Sequence, residues 1–136
     1  MAVTFTGPES KRRTFRLLVA RLRRVGALSF VYRYLKEIVV EERSDIYANV
    51  TRQSAHFPLA EFTDDTYTAS AIIHETAHIM LYQLGQRYYG RYGEAAAYLV
   101  AYAFAPWILP PPVMEITEND PVHGNPVVPV KGTANV

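Results

Sequence analysis

His74-Glu75-Thr76-Ala77-His78 sets two imidazoles four residues apart with a carboxylate directly after the first. On a helix, residues i and i+4 share one face, so two neutral imidazoles can reach a single cation from the same side. H-E-x-x-H on a helix is the signature of a zinc metallopeptidase site. A zinc ion with three protein ligands keeps a position open for water and lowers the pKa of that water to about 7. Glu75 would then take the proton and deliver it to the leaving amine, hydrolysing an amide bond. With four His and nine Glu in 136 residues, a chance match is expected on the order of 1% of the time. The bland alternative is a helix whose histidines make ordinary hydrogen bonds or hold a purely structural ion.

The motif needs a helix, and the spacing predicts one from Thr63 to Leu84, with Ile73, Ala77, Met80, Leu81 and Leu84 as its buried stripe. Thr63, Asp64 and Asp65 read as a capped, acidic first turn, and Gly85 as a stop signal. A third ligand must come from elsewhere. After a tyrosine-rich connector, Glu94 opens a second apolar segment that runs to Leu109, and a helix returning across the first would present this carboxylate near the histidines. The competing role for Glu94 is a first-turn carboxylate that merely favours the positive helix end. His123, in a proline-rich tail, and His56, before Phe57-Pro58-Leu59, are rival ligands, and His56 is also a candidate substrate contact. Tyr88, Tyr89 and Tyr92 of the connector could hydrogen-bond an oxyanion, although tyrosine more often supplies packing area with a polar handle.

The stretch from Ala71 to Pro110 resembles the ImmA/IrrE type of metallopeptidase. In that family a helix-borne H-E-x-x-H is followed by a glutamate-led helix with a small-aromatic-small run and a closing proline. Here the second element reads Glu94-Ala95-Ala96-Ala97-Tyr98-Leu99-Val100-Ala101-Tyr102-Ala103-Phe104-Ala105-Pro106-Trp107-Ile108-Leu109-Pro110. The connector from His78 to Glu94 is shorter than in that family, and Phe104-Ala105-Pro106-Trp107 displaces the terminal Leu109-Pro110. The resemblance implies zinc ligation by His74, His78 and Glu94, Glu75 as general base and acid, and a protein substrate of the helix-turn-helix repressor kind. The expected fold is α+β and zincin-like: the H-E-x-x-H helix packs on the glutamate-bearing helix and a small antiparallel sheet, with basic helices N-terminal to them.

Composition bounds the rest. A chain of 136 residues, 49% hydrophobic, can bury a real core in one modest domain, read here as residues 1–109. No cysteine is present, which excludes disulfides and thiolate zinc sites and is compatible with a reducing cytosol. Arg21, Arg23 and Arg24 interrupt any N-terminal apolar run, so a secretory signal is not expected and a cytoplasmic location is. Ala95–Leu109 is apolar but short and interrupted by Pro106, so it reads as a core helix and not a membrane span. Residues 110–136, which begin Pro110-Pro111-Pro112, read as an extended, flexible tail.

Charge is uneven although the net is +1. Residues 1–36 hold nine Lys or Arg against one Glu, and the remainder holds five against twelve acids. Lys11 to Arg24 is amphipathic, with Phe15, Leu18, Val19 and Leu22 opposite Arg12, Arg13, Arg16, Arg23 and Arg24. That face is either a solvated surface or a contact for nucleic acid, an anionic membrane or an acidic protein. A second helix is expected over Ala27–Lys36, with Leu28, Val31, Tyr32 and Leu35 on one face. Ile38-Val39-Val40 and Ile46–Val50 read as strands joined by a polar turn at Arg43-Ser44-Asp45, and Phe57–Leu59 as an edge. Such a sheet beside the motif helix would offer substrate a backbone edge. Two readings follow: a zinc metallopeptidase acting on a protein, or a regulatory, DNA-associated binding protein with a structural or vestigial zinc site.

Overall fold

In a computed structural model of the chain, the described residues are 2–85 and 90–104, with side chains from residue 93 onward in the second stretch. They form an α+β architecture of four helices and one four-stranded sheet. Val3 and Phe5 alternate with Thr4 and Thr6, and this β-branched alternation forms a first strand, β1 (Thr4–Thr6), with Phe5 inward and the threonines exposed. α1 (Arg12–Arg24) and α2 (Leu28–Tyr34) follow and return the chain to β2 (Glu37–Glu41), which lies parallel to β1. A parallel pair requires a crossover of this length.

β3 (Tyr47–Asn49) and β4 (Ser54–Pro58) are antiparallel, and β4 inserts between β3 and β2, running parallel to β2. The order is therefore β1-β2-β4-β3, a mixed sheet where an antiparallel one was expected. Phe57 and Pro58 lie in an interior strand, not at an edge. Pro58 is accommodated because it pairs at the very end of β2, opposite Glu41, where a missing donor costs least. Asn49 shapes the β3–β4 turn: its Oδ1 accepts from Thr51 Oγ1 and from the Arg52 amide, each at 3.1 Å.

One sheet face, carrying Phe5, Ile38, Val40, Ala48, Ala55 and Phe57, joins the core with Leu18 and Leu22 of α1 and Val31 of α2. The predicted stripes of α1 and α2 face inward, Leu18, Leu22, Val31 and Leu35 being buried and Phe15, Val19, Leu28 and Tyr32 half-buried. α3 (Thr66–Gln83) runs through the middle of this arrangement, against α1, α2, β3 and β4, and α4 (Gly90–Phe104) packs along it. Residues 71–79 are consequently buried without interruption. The expected one-sided stripe is too narrow, and Leu84 at its end is 64% exposed. Ala97 and Ala101 of α4, both buried, let the two helix backbones approach closely. Phe104 stacks on Phe30 of α2 with centroids 5.0 Å apart and fixes the far end of α4.

α3 starts later than Thr63. Asp65 is its N-cap, accepting from the Thr68 amide at 2.7 Å through Oδ1, while Thr63 Oγ1 donates to its other oxygen. Arg21 of α1 holds the same turn, with Nε 2.6 Å from Asp64 Oδ1, and Lys11 Nζ donates to the Phe62 carbonyl at 3.0 Å. The basic helix thus pins the entry to α3. At the other end Gly85 takes φ +86°, a left-handed conformation that lets its amide bond back to the Tyr82 carbonyl and end the helix. Partial burial works to raise the Asp65 pKa, but the bonds from Thr63 and Thr68 outweigh it and hold the carboxyl below its usual range. A depressed folded pKa means a contribution to stability that is full above the unfolded carboxyl pKa, about 4, and lost as pH falls through the folded value. Asp65→Ala should cost about 1 kcal/mol at neutral pH, and urea melts of the two proteins should converge in acid. A constant difference down to the acid limit would show that the cap acts without its charge.

Candidate metal centre

His74 and His78 lie one turn apart on α3, and their rings meet edge to face with centroids 4.8 Å apart. Glu94 is the fifth residue of α4, not a first-turn carboxylate as its position before the alanines implied, because α4 begins at Gly90. It is 1% exposed and reaches across the α3–α4 contact to both histidines. His74 Nε2 is 2.9 Å from Glu94 Oε1, His78 Nε2 is 3.4 Å from Glu94 Oε2, and the two Nε2 atoms are 3.2 Å apart. Among the described residues this is the one group of His, Cys, Asp or Glu side chains able to hold a metal ion, its ligand atoms all within 4.8 Å of one another.

These separations suit a small tetrahedral cation. Bonds of about 2.0–2.1 Å give a tetrahedron with edges of about 3.3 Å; the two Nε2 atoms are 3.2 Å apart, and each has a different oxygen of the Glu94 carboxylate beside it, at 2.9 and 3.4 Å. Two imidazoles and a carboxylate are the hard-to-borderline donor set that zinc accepts in catalytic sites. Glu75, adjacent to His74 in sequence, is fully buried. Low dielectric around such a group strengthens whatever electrostatic work it does.

The other candidates do not join this cluster. His56 sits in β4 on the opposite sheet face from Ala55 and Phe57, where Tyr47 of β3 stacks on its ring at 4.4 Å. Its Nδ1 donates to Glu41 Oε2 at 3.2 Å, and its Nε2 accepts from the Ser54 hydroxyl at 2.8 Å. Burial holds the imidazole below its ordinary pKa against the pull of that carboxylate. Burial acts the other way on Glu41, yet the bonds from His56 and Arg43 keep it below the usual carboxylate range. Hydroxyl, imidazole and carboxylate stand in the order of a serine-hydrolase relay. Ser54 is fully buried, and its strand lies between two others of the sheet. Arg43 completes the network, bonding Glu41 at 3.0 Å and Asp45 at 2.8 Å with its guanidinium over Tyr47. The sequence offered only the polar turn at 43–45 as a sign of this arrangement.

An open depression of about 550 Å³ beside the ends of β1, β2 and β4 contains Lys11 and Arg43, but both cations are engaged by the protein itself. Tyr88, Tyr89 and His123 lie outside the described residues, as do residues 105–109, expected to continue the second helix, and residues 110–136, expected to form a tail; Tyr92 is within α4, but its side chain is not described. Arg12, Arg13, Arg16, Arg23 and Arg24 are all exposed on α1. No described helix is long and apolar enough to cross a membrane. Neither family models nor curated proteins nor solved structures give a match to this chain, so any class assignment stands on the site itself.

Proposed function

We propose that this chain is a zinc-dependent metalloendopeptidase of the zincin type that hydrolyses a peptide bond in a protein partner. The observation that carries this reading is the convergence of His74 Nε2, His78 Nε2 and the Glu94 carboxylate within 3.4 Å of one another in the α3–α4 contact, with buried Glu75 next in sequence to His74. Zinc held there would supply Lewis acidity and acidify the attacking water. His74 and His78 would bind as neutral imidazoles, and Glu94 would offset the cation's charge inside the fold. Glu75 accepts the proton of the attacking water and returns it to the departing amine.

An extended substrate needs a backbone partner, and β3 is the edge strand that packs against α3. Among the described residues no strand pairs with its outer side, which supports strand addition next to the metal-bearing helix. A helix-turn-helix repressor as the substrate rests on the resemblance of residues 71–110 to ImmA/IrrE metallopeptidases, and on nothing else.

Elemental analysis of protein purified without added metal tests the site directly. About one zinc per chain is expected in the wild type and none in His78→Ala. Protein that stays zinc-free after reconstitution at neutral pH would remove the enzyme reading.

A further inference from the structure

The proposed hydrolysis makes no use of the outer face of α1, although every exposed residue of that helix is an arginine: Arg12, Arg13, Arg16, Arg23 and Arg24. At 100° per residue they fall within an arc of about 120°, and at 1.5 Å rise they cover about 18 Å of the helix axis. Leu18 and Leu22 occupy the opposite side and are fully buried. Arg21 points away from the arc and is bound to Asp64. Within the arc only Arg12 has a carboxylate partner, Glu9 at 3.2 Å; Arg13, Arg16, Arg23 and Arg24 form no ion pair among the described residues.

Inside the chain this arrangement is unfavourable. Arg12 and Arg13 open the helix, with no acid in its first turn, so their charges oppose the positive end of the helix dipole. Arg12 and Arg16 repel at i,i+4 spacing. An external polyanion would reverse both effects. We propose that this face binds the phosphate backbone of a nucleic acid.

Three observations select that occupant. Duplex DNA presents one charge per about 1.7 Å of axis, an array that several guanidiniums spread over about 18 Å can meet together, each able to bind phosphate through two parallel bonds. A protein partner would ordinarily engage apolar or aromatic anchors, and the exposed positions of α1 include none. Membrane insertion would need the apolar side of α1, and Leu18 and Leu22 are already committed to the core. Contacts of this kind position a protein on a duplex without reading its bases.

The test uses the full chain, a fluorescein-labelled 20-base-pair duplex of arbitrary sequence, and anisotropy titrations from 50 to 200 mM NaCl. Binding should weaken steeply with salt, the logarithmic slope being about −0.9 per phosphate engaged. Replacing Arg13, Arg16, Arg23 and Arg24 together with Gln should lower affinity at 50 mM at least tenfold and flatten the slope by about 3 to 4. The matching Lys variant should retain most of the slope, because charge and not shape carries it. Unchanged zinc content and melting temperature in both variants would show an intact fold; if the Gln protein does not fold, the Lys protein and single Gln changes carry the same comparison. No binding at 50 mM, or a slope indifferent to these arginines, overturns the proposal. So does equal or tighter arginine-dependent binding to vesicles with 30% phosphatidylserine, or to polyglutamate of matched charge, either of which would reassign the face.

Discussion

Glu75→Gln is expected to keep one zinc per chain while slowing peptide hydrolysis by a factor on the order of 10²–10⁴. The substitution preserves shape and removes the ability to accept a proton, and Glu75 is not among the three residues whose donor atoms converge. The loss corresponds to about 3–5 kcal/mol of transition-state stabilisation. Single-turnover cleavage of a quenched peptide library, run beside elemental analysis of the same sample, reads both quantities. Retained activity would remove Glu75 as the base. Inactivity in both proteins, with zinc bound in both, would favour a structural site and a binding protein over an enzyme.

Metal removal should have the second large effect, on stability. The donor groups of His74, His78 and Glu94 are buried together at the contact between α3 and α4, and a carboxylate so placed is costly unless a cation or hydrogen bonds compensate it. Zinc that binds the folded arrangement and not the unfolded chain would, at a free concentration a thousandfold above its dissociation constant, add about 4 kcal/mol. For a domain of this size the melting temperature should rise on the order of 10–20 °C over the chelated protein. Glu94→Ala should abolish most of that rise and Glu75→Gln should leave it intact. Wild type that melts identically with and without zinc would sink the assignment of these residues as ligands.

Local chemistry was readable in the sequence where one segment contained all of it. The His74–His78 spacing, the Gly85 stop and the arginine face of α1 are consequences of helical period and of glycine's backbone freedom, and each holds in the structure. Glu94 was identifiable as a ligand candidate because a helix returning across the first would present it; that helix begins four residues earlier than Glu94, so the carboxylate sits beyond the first turn and not within it, where the competing dipole-end role would have put it. The sheet was the weakest part. Short apolar runs announce strands without announcing partners, and nothing in them shows that β4 enters between β2 and β3, parallel to the first and antiparallel to the second. The alternation of Val3 to Thr6 is a signal for β1, but at three residues the strand is short beside the basic helix that follows. The Glu41–His56–Ser54 network joins residues from two strands and could not be read from either alone.

Both edges of the sheet, β1 and β3, are three residues long. Strands so short give a second copy of the chain little backbone to grip, which protects the fold from open-ended sheet growth. For a peptide laid against β3 the same brevity sets a ceiling: two or three backbone hydrogen bonds, each about 1 kcal/mol net, hold a guest for brief visits only. Any lasting choice among partners must then be made by surfaces away from this edge, and a guest would depart without a closing or opening motion to release it.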